Sequence, residues 1–286
     1  MPAENEPIGR IDIDGRALRY VSVGTGPPVV LLHAFPFRAE FWEPQFALAG
    51  EGCRVVAPDL RGFGQSSRQA LRGGECVDEP ARSMADYAGD IVRLLDDLAI
   101  EQAVVCGLSM GGYVAFALQR LAPRRIRALV LADTRAEADS EEGRRARSTL
   151  LAALAERGTV AVADAMMPKM LSPATRVAQP ELEPAVRAMM ESASPDGVAD
   201  AITCLRDRVD SSETLRAVDV PVQLIVGRDD EVTTVAMHDR MQSLLPDSNL
   251  TVIERAGHLS NLEQPDVFNR TVGRFLKGLS WCRSVA

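Results

Sequence analysis

Six short runs of this chain are almost unbroken in their apolar character: Val29-Val30-Leu31-Leu32, Arg54-Val55-Val56-Ala57, Ala103-Val104-Val105-Cys106, Ala128-Leu129-Val130-Leu131, Val222-Gln223-Leu224-Ile225-Val226 and Leu250-Thr251-Val252-Ile253. A strand with one wet face alternates apolar and polar side chains. A run that does not alternate has to be covered on both faces. Between several of these runs the period changes to that of a helix. Residues 86–98 set Ile91, Leu94, Leu95 and Leu98 on one face, and residues 113–121 are periodic as well. Doubly covered strands alternating with amphipathic helices point to an α/β protein with a mostly parallel, doubly wound sheet. Near the start, Ile11, Ile13, Leu18, Tyr20, Val21 and Val23 are interrupted by Asp14-Gly15 and Gly24-Thr25-Gly26. That pattern predicts a hairpin of two exposed antiparallel strands.

The alternation stops between Asp133 and about Asp219. Helical patterns are expected at 141–157, 160–170, 181–192 and 197–208, punctuated by Pro168, Pro173, Pro180, Pro184 and Pro195. We read residues 134–218 as a helical cap inserted into a core of residues 1–133 and 219–286. Met166, Met167, Met170, Met189 and Met190 fall in it and are expected to be helix-packing residues; the alternative is that one or two of them line a pocket. The Arg144-Arg145-Ala146-Arg147 cluster is expected to be a solvated, salt-bridged helix face, and residues 68–82 an exposed loop.

Charge and cysteine usage exclude several function classes. A net charge of −8 argues against nucleic acid as a partner, because phosphate contacts need a basic surface. The five cysteines are widely spaced and include no CxxC, so neither a disulfide framework nor a zinc ribbon is expected. No stretch approaches the roughly 18 apolar residues of a membrane span, and the acidic residues 1–6 do not read as a secretory signal. A cytoplasmic location is the expectation. Heptads that would indicate an oligomer are absent, so the oligomeric state stays open.

Three pieces of sequence carry chemistry. Gly107-Leu108-Ser109-Met110-Gly111 follows an apolar run and opens a helical one. A turn that sharp needs small flanking residues, and it holds the Ser109 hydroxyl up at its apex. Free N–H groups at the start of the following helix favour negative charge at the same spot. A serine hydroxyl needs a base. Of the three histidines, His258 lies in a loop directly after the last apolar run, His33 follows the first, and His238 falls in a helical stretch and is expected at the surface. An acid that orients the imidazole belongs at a strand end, and Gly227-Arg228-Asp229-Asp230-Glu231 follows Val226. The chain order is then Ser109, an aspartate, His258. No HExxH or other metal-ligand cluster is present, and no cofactor is expected.

On these residues the chain resembles the α/β-hydrolase superfamily. Leu32-His33-Ala34-Phe35-Pro36 is similar to its His-Gly-x-Pro loop. Residues Ala57 to Ser67 are close to its P-D-x-x-G-x-G-x-S stretch, and Gly257 to Pro265 to its G-H-x-x-x-x-E-x-P ending. Within the superfamily the pattern looks most like small esterases and 3-oxoadipate enol-lactonases. The resemblance implies that the acid is Asp230, the third residue after Gly227. Asp133, at the end of the preceding strand, is an alternative position used by some relatives, and Asp229 is a third candidate. Two departures stand out: Ala34 replaces the usual glycine, and the usual proline near Thr234 is missing.

The implied reaction is hydrolysis of a small-molecule ester or lactone through an acyl-enzyme. Ser109 is the nucleophile, His258 the base and Asp230 its orienting acid, with the backbone N–H groups of Phe35 and Met110 as the oxyanion hole. His33 and Asp59 are expected to hold loops, and Cys106 to face the core. The same three side chains support C–C bond hydrolysis, perhydrolysis or acyl transfer. A binding protein on a hydrolase scaffold is the non-enzymatic alternative.

Overall fold

The computed structural model describes residues 8–72 and 75–279. Ten strands are present among them: β1 (Ile8–Ile13), β2 (Arg16–Val23), β3 (Pro28–Leu32), β4 (Arg54–Pro58), β5 (Gln69–Arg72), β6 (Glu75–Asp78), β7 (Ala103–Leu108), β8 (Ile126–Ala132), β9 (Val222–Gly227) and β10 (Ser248–Ile253). Eight form one sheet in the order β1-β2-β4-β3-β7-β8-β9-β10. From β4 through β10 every pairing is parallel, and β2 runs against its neighbours. The chain lays down β3 and β4 toward one side, then returns to place β7 on the other side of β3. That reversal leaves a crevice beyond the carboxyl ends of β3 and β7, where α/β proteins bind ligands.

The unbroken apolar runs are explained by two cores, one on each sheet face. Val30, Leu32 and Val105 enter one core with helices α1 (Met84–Asp97) and α2 (Met110–Leu121). Val29, Leu31, Val104 and Cys106 enter the other, with Trp42 of the 3-10 stretch Ala39–Glu51 and Phe268 of the C-terminal helix Pro265–Gly278. Each fully buried Val or Leu contributes about 1.5–3 kcal/mol, so neither set of alternating side chains can be turned to solvent cheaply.

Between β8 and β9 no strand occurs among the described residues. Six helices fill the interval: α3 (Glu141–Arg157), α4 (Thr159–Met166), α5 (Pro173–Ala178), α6 (Leu182–Glu191), α7 (Pro195–Arg206) and α8 (Ser212–Arg216). Then come α9 (Val235–Leu244), α10 (Ser260–Glu263) and α11 (Pro265–Gly278). None is long and apolar enough to cross a membrane.

Three expectations need correcting. The β1–β2 hairpin is antiparallel as expected, but β2 is largely buried because β4 pairs with its other edge. The stretch around residues 68–82 is not a plain loop: β5 and β6 pair as an antiparallel hairpin, fastened by the Arg68–Asp78 ion pair. Only Ala70 of the two strands is buried, so the hairpin has no alternating apolar face for the sequence to display. His238 is not at the surface; α9 turns it inward and buries it completely. Acidic residues 1–6 and Cys282 lie outside the described residues.

Candidate active site

The Ser109 turn is built from backbone crowding. A Cβ on Gly107 would lie 2.3 Å from the Gly111 carbonyl oxygen, and one on Gly111 would lie 2.0 Å from the Leu32 carbonyl oxygen. Only glycine fits at either place. Ser109 itself has φ 53° and ψ −112°, a left-handed conformation that costs of order 1–3 kcal/mol and persists because the surroundings hold it. Its N–H donates to Ala132 at 3.0 Å, and its carbonyl accepts from the Thr134 hydroxyl at 2.9 Å. The apex is therefore tied to β8 as well as to its own strand and helix.

Two more loops converge on it. His258 Nε2 lies 3.0 Å from Ser109 Oγ, and Nδ1 lies 2.9 Å from Asp230 Oδ2. Asp230 is set by its own loop. The Val232 and Thr233 N–H groups donate to Oδ1 at 2.7 and 2.9 Å, and the Thr233 hydroxyl donates to Oδ2 at 2.6 Å. An ionised Asp230 accepting at Nδ1 places the imidazole proton there. Nε2 is then left to accept from the serine hydroxyl.

The electrostatics separate two neighbouring carboxyls. Burial disfavours ionisation of Asp230, but the adjacent imidazole and the Thr233 hydrogen bonds outweigh it and hold its pKa below the usual carboxylate range. Burial also disfavours the His258 cation, yet Asp230 overcomes it and raises the imidazole above its ordinary value. Asp133 goes the other way: burial, then the nearby Asp230 charge, push it well above the usual range.

Of the three acid candidates, only Asp230 meets the His258 ring. Asp229 is exposed on the same turn. Asp133 is fully buried, accepting from the Gly227 N–H at 2.9 Å and from the Ser260 hydroxyl. It ties the loop carrying Asp230 to the loop carrying His258. Glu263 fastens the second of these loops from below. It accepts from the Gly257 N–H and the Ser172 N–H, both at 2.8 Å, and from the Thr175 hydroxyl at 2.7 Å. Sequence reasoning gave no role to Thr233 or Glu263. The Glu in G-H-x-x-x-x-E-x-P was a signal for the second.

Phe35 and Ser109 border the same cavity as His258. Neither the Phe35 nor the Met110 N–H donates to an acceptor among the described residues. Ala34 is not among the residues with left-handed φ, so alanine replaces glycine there without backbone strain. His33 bridges the Ala34 carbonyl and the Leu60 N–H, at 2.9 and 3.0 Å. Asp59 accepts from the Ala39 and Gln65 N–H groups, both at 2.8 Å. Cys106 is buried, and burial pushes its thiol far up, away from thiolate chemistry. Among the described residues no group of three or more His, Cys, Asp or Glu is placed to hold a metal ion.

The cavity measures about 150 Å3. Part of its wall comes from the helices between β8 and β9, including Met166 and Met170. The Arg144-to-Arg147 cluster is only partly the solvated face expected of it. Arg144 and Arg145 are exposed and ion-paired, while Arg147 borders this cavity together with Arg135 and Lys169.

Comparison with known proteins gives a consistent result. The profile of the Alpha/beta hydrolase family matches residues 29–271. A 3-oxoadipate enol-lactonase of Acinetobacter baylyi is 29% identical over 263 residues, covering 91% of this chain and 93% of its own length. A thermophilic esterase from Thermogutta terrifontis superposes with a TM-score of 0.88 at 33% identity, over 95% of this chain and 99% of that one. The enol-lactonase from Burkholderia xenovorans LB400 superposes with a TM-score of 0.83 at 26% identity, over 94% and 100%.

Proposed function

This chain belongs to the alpha/beta hydrolase family, and we propose that within it the protein is a serine hydrolase that cleaves a small-molecule carboxylic ester or lactone through an acyl-enzyme. The observation that carries the proposal is the continuous contact from Asp230 through His258 to Ser109, at 2.9 and 3.0 Å. The esterase and enol-lactonase similarities support the bond type.

The geometry supports the following reaction. His258 Nε2 takes the serine proton as Oγ attacks the acyl carbonyl. Asp230 stabilises the imidazolium that forms. The oxyanion is met by the N–H of Met110, at the start of α2, and by that of Phe35; a donor of this kind is worth about 2.7–4 kcal/mol. His258 then gives its proton to the leaving oxygen, and water repeats the sequence on the acyl-enzyme. Asp133 stays outside this path and holds two loops in register. The helical segment between β8 and β9 acts as a cap that sets which acyl groups fit, because Arg147 of α3, Met166 of α4 and Leu205 of α7 line the cavity.

Trapping tests the reading. A fluorophosphonate should add once per chain, on Ser109, as seen by intact mass, and Ser109→Ala should block it. A folded protein that neither takes the label nor hydrolyses a short-chain aryl ester would be a binding protein on this scaffold instead.

A further inference from the structure

Beside the cavity, three guanidinium groups meet one carboxylate. Asp139 pairs with Arg135, Arg147 and Arg208, and its own side chain is only 2% exposed. Glu137 pairs with Arg240 at 3.0 Å. Two guanidinium charges on Asp139 therefore have no carboxylate of their own; Arg208 lies over the Tyr113 ring and donates to the Leu205 and Glu137 carbonyls, and Arg135 Nε is buried without an acceptor. Lys169, on the same cavity wall, has no ion pair among the described residues.

A knot that only fastened α3 and α7 to the sheet would be close to neutral, since unpaired charge away from water is costly. Here the excess lies on the wall of the cavity that holds Ser109. Guanidinium groups fit carboxylates in a planar, two-pronged way that neither ammonium nor amide groups reproduce. The remaining wall is apolar, through Phe35, Met166, Met170, Leu205 and Val232. At about 150 Å3 the cavity is smaller than the roughly 300–1,000 Å3 of pockets for drug-sized ligands.

We propose that the cavity takes an ester whose acyl group carries its own carboxylate, a monoester of a short dicarboxylic acid. Arg135, Arg147 and Lys169 hold the free carboxylate while Ser109 attacks the ester carbonyl. The acyl carbon gains a bond to Oγ as its bond to the alcohol oxygen breaks, and the serine proton leaves with the alcohol through His258. Water then releases the dicarboxylic acid, with no change of oxidation state. The proposal rests on the serine-hydrolase reading, and its test separates the two.

The first measurement compares mono-4-nitrophenyl glutarate with 4-nitrophenyl valerate, the same chain length without the charge. The anionic ester should have the higher kcat/KM, by about tenfold or more and mainly through KM, and added salt should shrink the advantage. Arg147→Gln combined with Lys169→Gln should bring the anionic-to-neutral ratio toward one. That ratio does not depend on the fraction of protein folded. Equal or better turnover of the neutral ester, or a ratio unmoved in the double variant, overturns the proposal. The second measurement is calorimetric binding of monomethyl glutarate to Ser109→Ala protein, with and without Arg147→Gln. Binding that the arginine change abolishes supports the subsite even if the wild type hydrolyses no ester, a result that would strike only the serine-hydrolase reading. No binding, alongside turnover of neutral aryl esters, strikes the subsite alone.

Discussion

Strand β7 and helix α3 both reach the same cavity, and they are held in opposite ways. All six residues of β7 are buried, whereas α3 buries only Leu154 of its seventeen. A strand covered on both faces cannot slip by one residue without exchanging its two sets of side chains. Ser109 at its end inherits that rigidity. Helix α3 is placed by the Ser140 N-cap and by ion pairs to Asp139 and Asp207, interactions that one substitution can redirect. The sheet edge thus carries groups that must sit within fractions of an ångström of each other. On the proposed reading, the helices carry the groups that choose a substrate. The two regions should respond differently to substitution, and the sizes of the responses can be compared on one free-energy scale.

The largest effect belongs to the sheet edge. Ser109→Ala should lower kcat/KM for a short-chain aryl ester by about 10^4-fold or more, over ~5 kcal/mol of transition-state stabilisation, with a change in folding stability of about 1 kcal/mol or less. Initial rates and a urea titration on the same preparation decide it. Residual activity within tenfold of wild type would move the nucleophile away from the strand and dissolve the comparison.

Asp230→Asn and Asp133→Asn sharpen it within the sheet edge. Loss of Asp230 should cost about 10^4-fold, because the amide favours the wrong imidazole tautomer. Asp133→Asn should cost far less, since Asp133 does not meet the imidazole and an amide of the same shape still accepts from the Gly227 N–H. The pH profiles carry the sign. Asp230 raises the His258 pKa, so kcat/KM should climb with pH through a midpoint above the ordinary histidine value of 6.5. In Asp230→Asn the midpoint should move down. A larger activity loss in Asp133→Asn than in Asp230→Asn would exchange the roles of the two carboxyls.

Much of the sheet edge was legible in the sequence, and the reason is local. The glycines around Ser109 are required by contacts as close as 2.0 Å, which any side chain would violate, so the requirement is written in adjacent residues. The doubly covered strands were legible for a similar reason, as runs without alternation. The helical segment was legible only as helices. Nothing in the spacing of residues 144–147 says that Arg145 faces solvent while Arg147 faces the cavity. That choice depends on Asp139, which precedes the helix and has its carboxylate buried against three arginines, one of them two residues beyond the end of α7. His238 was misread because it stands among Asp239, Arg240, Gln242 and Ser243 in a ten-residue helix, where being polar carries no signal of which way it points. The buried environment comes from Thr134, more than a hundred positions away in sequence.

His238 lies at the junction of the two regions and sets the next effect in size. Its Nδ1 faces the Thr234 carbonyl at 3.2 Å, and burial lowers its pKa to about 4. The unfolded chain protonates near 6.5 while the folded one does not, so the unfolded state binds more protons between those values. Stability from this residue is therefore full above about pH 6.5 and falls as the pH drops toward 4, by about 3 kcal/mol. The difference in urea midpoint between wild type and His238→Gln, followed across this range, isolates the contribution from other titrating groups. A constant difference would mean that the imidazole protonates freely and that the junction is open to water.

The smallest effect tests the outward face of α3. Arg145 and Glu141 pair at 2.7 Å one turn apart, with side chains 69% and 83% exposed. A pair so solvated gives back most of its Coulomb attraction to water and to the entropy of two long side chains, so Arg145→Ala should change stability by less than about 0.5 kcal/mol. The anionic-to-neutral substrate ratio should not move either, because Arg145 does not border the cavity. Arg147 lies two residues along, across the helix from Arg145, and its removal should lower that ratio. If Arg145→Ala instead costs more than about 1 kcal/mol in a urea titration, α3 depends on its solvent-facing charges as much as on Asp139. The division between a helix anchored from within and a strand fixed by burial would then need redrawing.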